Sequence, residues 1–213
     1  MGTKKNILIT AGPTWIALDK ARVISNIASG ETGLILAGVL KKSGARITLL
    51  LGPGNSLYPR VPGVKIINFK YFQELEGFLK KELSKRKYAA VIHAAAVADY
   101  KPEKTIRRKI SSRLKKWNIR LVPTKKLVGG LKEYSAHLVA VGFKFEPDAG
   151  KTGLITKGKK LLRGSCLDIV VANSSRNNTY QAYILDKKNE YGPFLSKNKM
   201  AVYLAKVLKD RLG

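Results

Sequence analysis

Asn6-Ile7-Leu8-Ile9-Thr10-Ala11-Gly12-Pro13-Thr14 reads as a short β-rich run, Asn6–Thr10, closed by a turn. Adjoining apolar residues favour an extended segment, and the Gly-Pro pair ends it. After a detour comes Val23–Ser43, broken at Ser29-Gly30 and then helical, with Leu34, Leu36, Ala37 and Leu40 apolar. Ala45–Leu51 follows as a continuous apolar run between Gly44 and Gly52, the length of a buried strand. This strand–turn–helix–strand order decides the fold class.

The same alternation continues outward. Val64–Phe69 is a strand, and Tyr71–Arg86 an amphipathic helix with Phe72, Leu75, Phe78, Leu79 and Leu83 at helical spacing. Tyr88–Ala96 is another buried strand. Leu127–Tyr134 reads as helical, Leu138–Phe143 as a strand, Thr152–Arg163 as a lysine-rich helix and Asp168–Ala172 as a strand. Tyr180–Leu185 and Tyr191–Leu195 predict a hairpin, and Ser196–Leu212 a closing helix with Ser196 as its N-cap. Strands alternating with helices imply an α/β fold, a parallel sheet covered on both faces. No linker or repeat divides the chain, so residues 1–213 are expected to form one domain. In such sheets ligands bind outside the carboxyl ends of the strands. The candidate positions are then Gly12–Thr14, Gly52–Gly54, Ala96–Asp99, Phe143–Glu146 and Asn173.

Composition narrows the function classes. The 213 residues are 45% hydrophobic, which excludes a disordered chain. Lys and Arg number 41 against 14 Asp and Glu, a net charge of +27. That charge prefers polyanions, whether nucleic acid, acidic membrane or phosphorylated small molecules, unless it is only a solvated surface. Between Lys101 and Lys126 eleven Lys or Arg stand beside one acid, Glu103. Such a run repels itself, so a mobile basic loop is expected around 101–120. Leu34–Leu40 and Val91–Ala98 are the longest apolar runs, far short of the ~20 residues that span a bilayer. Polar Met1–Asn6 leads into too short an apolar run for a signal peptide. Cys166 is the only cysteine; with His93 and His137 alone beside it, a disulfide and a Cys/His zinc site are excluded. The expected compartment is the cytosol.

Three segments have the composition of a site. Gly12–Thr14 and Ser25–Gly33 combine a glycine turn with a small-residue loop that opens a helix. Exposed N–H groups and the helix dipole there accept a phosphate, unless the glycines serve only tight packing. No Walker sequence or Gly-x-Gly-x-x-Gly is present, which argues against a P-loop enzyme or an ordinary dehydrogenase. Ala94–Pro102 offers small residues against which a flat ring could lie. Asp99 there is either a ligand of phosphate-bound magnesium or a surface acid. Arg107–Ser112 is either a cationic loop over a triphosphate or a nucleic-acid contact. With only Trp117 and Tyr100 near it, base stacking has little support. His93, inside an apolar run, reads as a packed core residue, and Cys166 has no activating neighbour in sequence. Trp15, beside the glycine turn, reads equally as a ligand shield or as packing.

Ile-Thr-Ala-Gly-Pro-Thr at 9–14, Ile-Ser-Asn-x-x-Ser-Gly-x-x-Gly at 24–33 and Ala-Ala-Ala-Val-Ala-Asp-Tyr-x-Pro at 94–102 occur in that order. Lys-Ile-Ser-Ser at 109–112, Val-Gly-Phe-Lys-x-Glu at 141–146 and Asp-Ile-Val-Val-Ala-Asn at 168–173 follow. Together they resemble the phosphopantothenoylcysteine synthetase (phosphopantothenate–cysteine ligase) family across the whole chain. The resemblance implies a Rossmann-like, doubly wound, mostly parallel sheet with a C-terminal β-hairpin and helix, in a stand-alone form with no flavin. It implies that 4′-phosphopantothenate attacks a nucleoside triphosphate, CTP rather than ATP, in the presence of Mg2+. L-cysteine then displaces the nucleotide from the acyl-nucleotidylate. By motif, Asn26 would hold that intermediate and Lys109 would support its formation. Gly12, Thr14, Ser29, Gly30, Ala96, Asp99, Phe143 and Lys160 would bind the nucleotide, and Asp99 would reach the metal. A cytoplasmic homodimer is implied, with nucleic acid not required and no membrane partner. The sequence departs from the family pattern at Ile16, Glu31 and Ser174, and an acid at Glu31 would weaken anion binding unless it points away. The competing classes are a basic nucleic-acid-binding protein reusing the fold and, less favoured, a nicotinamide-dependent reductase.

Overall fold

In the computed structural model, which describes residues 4–54, 61–135, 137–176 and 179–213, the opening run is strand β1 (Asn6–Ala11). Of the polar lead, Met1 to Thr3 lie outside the described residues. Then come β2 (Trp15–Ala17), β3 (Val23–Ser25), α1 (Glu31–Lys42), β4 (Arg46–Leu51), β5 (Lys65–Asn68), α2 (Phe72–Leu83) and β6 (Ala90–His93). The chain continues through β7 (Tyr100–Pro102), β8 (Leu121–Pro123), a 3-10 helix (Leu127–Tyr134), β9 (Val139–Phe145), α3 (Lys151–Gly164) and β10 (Ile169–Arg176). It closes with β11 (Thr179–Leu185), β12 (Glu190–Phe194) and α4 (Lys197–Leu212). Ser196 caps α4, its Oγ accepting the Lys199 N–H at 3.2 Å.

One eight-stranded sheet orders these strands β12-β11-β10-β9-β6-β1-β4-β5. Every pairing from β5 to β10 is parallel, and β11 and β12 add antiparallel at one edge. The chain runs outward from β1 through β4 to β5, then returns to the other side of β1 as β6. Strand order therefore reverses between β1 and β6, where an open α/β sheet forms its crevice.

Alternation within β1 divides the core. Ile7, Ile9 and Ala11 face α1 and α4 and pack with Leu36, Leu40, Met200 and Leu204. Leu8 faces the other way, onto the cluster of Leu75, Leu79, Leu131 and Leu162. Side chains such as Leu8, Ile9, Leu36 and Leu75 are fully buried. Each contributes about 1.5–3 kcal/mol relative to exposure. The sheet is thus fixed from both faces before the rim loops are considered.

Two small features depart from the sequence expectation. Val23–Ser25 is a strand paired with Trp15–Ala17, so a hairpin arm stands between the glycine turn and α1. Tyr100–Pro102 pairs with Leu121–Pro123, so the basic segment is the long loop of a second arm. Strands of three residues are too short to display a period of two. Leu127–Tyr134 winds as a 3-10 helix, with Gly129 and Gly130 weakening its α-helical preference. Tyr88–Ala96 stays in the sheet only from Ala90 to His93, after which the three alanines turn across the rim.

Candidate functional site

Three loops converge at the carboxyl ends of β1 and β4. A Cβ at Gly54 would lie 2.4 Å from the Ser29 carbonyl oxygen, and one at Gly52 would lie 2.3 Å from the Pro13 carbonyl oxygen. Gly12 packs against the backbone of Gly52, and Gly30 against that of Gly12. Gly30 is the N-cap of α1 at φ 79°, the left-handed region that costs other residues about 1–2 kcal/mol. A Cβ at Gly33 would fall 2.2 Å from the Ala11 Cβ, so α1 rests directly on the end of β1. The result is a concave strip of backbone at a helix N-terminus, with Ser29 Oγ accepting the Glu31 N–H at 3.3 Å. Backbone amides in that setting attract an anion. Glu31 does not oppose this, because its carboxylate is paired with Lys197 at the start of α4.

A second wall lies across the β1/β6 gap. Ala96 donates its N–H to the Gly12 carbonyl at 2.9 Å, and its carbonyl accepts from the Thr14 N–H at 3.3 Å. Asn26 Nδ2 donates to the Ala96 and Val97 carbonyls at 3.2 and 3.1 Å. The Ala96 backbone is therefore committed to the fold, and Asn26 is oriented before any ligand arrives. Thr14 is fully buried, its Oγ1 accepting the Ala98 N–H at 2.9 Å, so it holds this wall from behind. Below it, Thr10 Oγ1 meets His93 Nδ1 at 2.9 Å and accepts the Ala95 N–H at 3.2 Å. Burial pushes the His93 pKa down to about 4, so the ring is neutral and supports the rim as a core residue. Ile16 is buried in the adjoining core.

Asp99 follows this wall. Its carboxylate is exposed and paired with Lys126, and its backbone carbonyl accepts the Thr124 N–H at 2.9 Å. Among the described residues no three His, Cys, Asp or Glu side chains gather into a metal cluster. A single carboxylate suits a magnesium ion carried in on phosphate oxygens, since that ion takes one or two carboxylates and fills its shell from phosphate and water. Lys126 would have to release Asp99 for that contact.

On the far side β9 runs three residues past the end of β6, from Phe143 to Phe145. Phe143 is half-buried against the α1–α4 face, and its rim-side neighbour strand has ended. On β10, Asn173 Oδ1 is buried without a partner, as is the hydroxyl of Tyr180 on β11. Register places Asn173 opposite Ala182 and Tyr180 opposite Ser175, so both share the α1–α4 face. A buried polar group left unsatisfied costs about 1–3 kcal/mol, the mark of a group awaiting a donor or acceptor. Ser174, pointing to the other face, is buried.

Two expected residues stand elsewhere. Lys160 is exposed on α3, nine residues from its start and hence about 13 Å down the helix from the rim. Nearer the end of β9 and the start of α3, Lys144 and Lys157 are both paired with Glu146 and together hold its carboxyl below the usual range. Lys109 is exposed on the basic segment. Its neighbour Ile110 is held by Asp19 at the tip of the β2–β3 arm, whose base carries Asn26. Asp19, Arg22, Lys126, Lys157 and Tyr180 were not singled out by sequence, while Lys144 fell within the candidate stretch Phe143–Glu146. The Asp19-Lys20-Ala21-Arg22 turn was the one legible signal, since Asp accepts from backbone N–H groups two and three residues on.

The chain matches the family model of the DNA/pantothenate metabolism flavoprotein C-terminal domain over residues 3–212. The coenzyme A biosynthesis bifunctional protein CoaBC of Borreliella burgdorferi is 32% identical over 212 residues, 96% of this chain and 52% of that protein. The chain spans about half the length of the curated relatives it matches. A crystal structure of the C-terminal domain of CoaBC superposes with a TM-score of 0.79 at 27% identity, covering 98% of this chain and 95% of that one. The DNA/pantothenate metabolism flavoprotein of Streptococcus pneumoniae has the same fold, with a TM-score of 0.85 at 22% identity over 97% of this chain and 99% of that one.

Proposed function

The chain belongs to the DNA/pantothenate metabolism flavoprotein C-terminal domain family, and from that premise we propose that it is a ligase joining 4′-phosphopantothenate to L-cysteine in coenzyme A biosynthesis. The observation that carries the reading is the glycine-lined rim, where backbone meets backbone at Gly12, Gly52, Gly54 and Ser29 beside the N-terminus of α1. Such a strip takes phosphates without side-chain obstruction. Phe143 and the unpartnered Asn173 Oδ1 and Tyr180 hydroxyl share the sheet face on which this reading puts the base and ribose.

In this reading the phosphopantothenate carboxylate attacks the α-phosphorus of CTP, or of ATP, and pyrophosphate leaves. The cysteine amine then attacks the acyl carbon, and the nucleoside monophosphate departs. No protein nucleophile is needed; positioning and charge neutralisation do the work. Ser29, Gly30 and the α1 N-terminus orient phosphate oxygens. Asn26, locked on the Ala96 and Val97 carbonyls, presents its amide to the acyl-nucleotidylate. Lys109 lends positive charge as pyrophosphate forms, carried by the basic segment at 101–120. Asp99 would hold a magnesium ion that offsets phosphate charge. The reading assigns flavin no role and expects a cytoplasmic homodimer; no helix among the described residues is long and apolar enough to cross a membrane.

A nucleic-acid reading rests on charge alone. Trp117, an aromatic of the basic segment, is already engaged over Arg22 at 5.5 Å. The deciding assay offers 4′-phosphopantothenate with CTP or ATP, with and without cysteine. Pyrophosphate release that depends on phosphopantothenate, and amide formation once cysteine is added, is the expected result. Retention on nucleic acid with no nucleotide turnover would overturn it.

A further inference from the structure

The basic segment between β7 and β8 touches the rest of the molecule at a built contact. Asp19, at the tip of the β2–β3 arm, has a fully buried side chain in a region otherwise rich in cations. One carboxylate oxygen, Oδ1, accepts the Ala21 and Arg22 N–H groups at 2.7 and 2.8 Å and so closes the hairpin turn. The other, Oδ2, accepts Arg22 Nη1 at 2.7 Å and the Ile110 N–H at 3.0 Å. Arg22 Nη1 also donates to the Ile110 carbonyl at 3.3 Å. Trp117, seven residues further along the segment, lies over the same guanidinium. Two separate points of the segment thus land on one ion pair. Beside them a cavity of about 220 Å³ is lined by Leu18, Ile106 and Trp117. The Ile110 N–H is the strongest influence holding the Asp19 carboxyl below its ordinary range, with burial opposing it.

We propose that Asp19 is a positioning residue for the ligase reaction: its Oδ2 docks Ile110, and thereby fixes where the adjacent Lys109 stands relative to Asn26 at the base of the same arm. The proposal rests on the ligase reading for its kinetic consequence and on the geometry alone for the docking itself. From Arg22 to Asn26 the arm spans four residues, about 13 Å at ~3.3 Å per residue. The two-stranded arm therefore links the intermediate-holding amide to the anchor of the segment's lysine. The two carboxylate oxygens divide the labour, one closing the turn and the other holding the segment.

Asp19→Asn separates these duties. The amide oxygen keeps the turn, while its NH2 faces the Ile110 N–H and the guanidinium, two donors it cannot satisfy. Ile110→Pro removes the same hydrogen bond from the opposite side without altering Asp19. Hydrogen exchange resolved at single amides, read beside pyrophosphate release and cysteine ligation, provides the test. In Asp19→Asn the Ile110 amide is expected to exchange at least tenfold faster, with Ala21 and Arg22 unchanged. Pyrophosphate release should fall at least tenfold in kcat with little change in the nucleotide KM, and Ile110→Pro should match it. The double variant should be no worse than either single one, because both cut one contact. Unchanged Ile110 exchange, or full kcat in both variants of an active enzyme, would overturn the proposal. Wild-type protein that releases no pyrophosphate would instead overturn the ligase reading, and the exchange result would still judge the docking.

Discussion

The glycine-lined rim and the basic segment hold their residues by opposite means. At the rim glycine backbone presses close on its neighbours: Gly54 on the Ser29 backbone, Gly52 on the Pro13 backbone and Gly33 on the Ala11 methyl. Its parts hang from the central strands, and no side chain has to choose a rotamer. The basic segment hangs from two three-residue strands, and Asp19 with Arg22 supplies its buried anchor. In the proposed reaction, phosphates would be seated on the strand-anchored region, while the cation that assists them would be placed by the Asp19 anchor. In a molecule of net charge +27, a cation's value thus depends on where it is anchored rather than on its sign.

Breaking either side should give different signatures. Lys109→Ala is expected to have the largest effect, lowering pyrophosphate release by about 10²–10³, as loss of one transition-state donor does. Its thermal midpoint should stay at the wild-type value, as calorimetry would record; a matching loss of stability would erase the contrast between the regions. Acid should weaken the rim instead. His93 is neutral when folded, with a pKa of about 4 against 6.5 unfolded. Between those values the unfolded chain binds the extra proton, so stability falls as pH drops from 6.5 toward 4, by up to about 3 kcal/mol. Urea midpoints at pH 7.5 and 4.5 should therefore differ, and His93→Gln should flatten that dependence.

Gly33→Ala should cost about 1–3 kcal/mol, because its methyl must displace the Ala11 contact. Its nucleotide KM should rise as well, since α1 would be lifted from β1; steady-state kinetics beside urea melts would show the two losses together. Lys126→Ala removes an exposed partner of Asp99 and should change stability by less than about 1 kcal/mol. It should lower the magnesium concentration needed for half-maximal rate, as a titration would show, because Asp99 is then unpaired.

The sheet and most of the rim were legible because their signals are local. Ile7–Ile9, Ala45–Leu51 and Val91–Ile92 announce buried strands, and a topology of alternating helices places Gly12, Gly52 and Ala96 at one edge. Ser29-Gly30 showed itself by small residues at a helix start. The two arms did not, because strands of three residues carry no period and their pairing depends on distant partners. Asp19 was not singled out, and nothing in its neighbourhood named Ile110, ninety-one positions on. The lysine-rich helix α3 offers several candidates beside Lys160, and only its packing shows which face and which turn approach the rim. Glu31 stood as an obstacle in sequence until the fold set Lys197 beside it.

A crystal structure with a non-hydrolysable CTP analogue and 4′-phosphopantothenate bears most directly on the central claim. The account predicts nucleotide phosphates within hydrogen-bond reach of the Gly30 and Gly54 backbone and the base beside Phe143 and Asn173. Phosphates bound instead along the exposed lysines of α3 or α4, with the glycine strip bare, would contradict it.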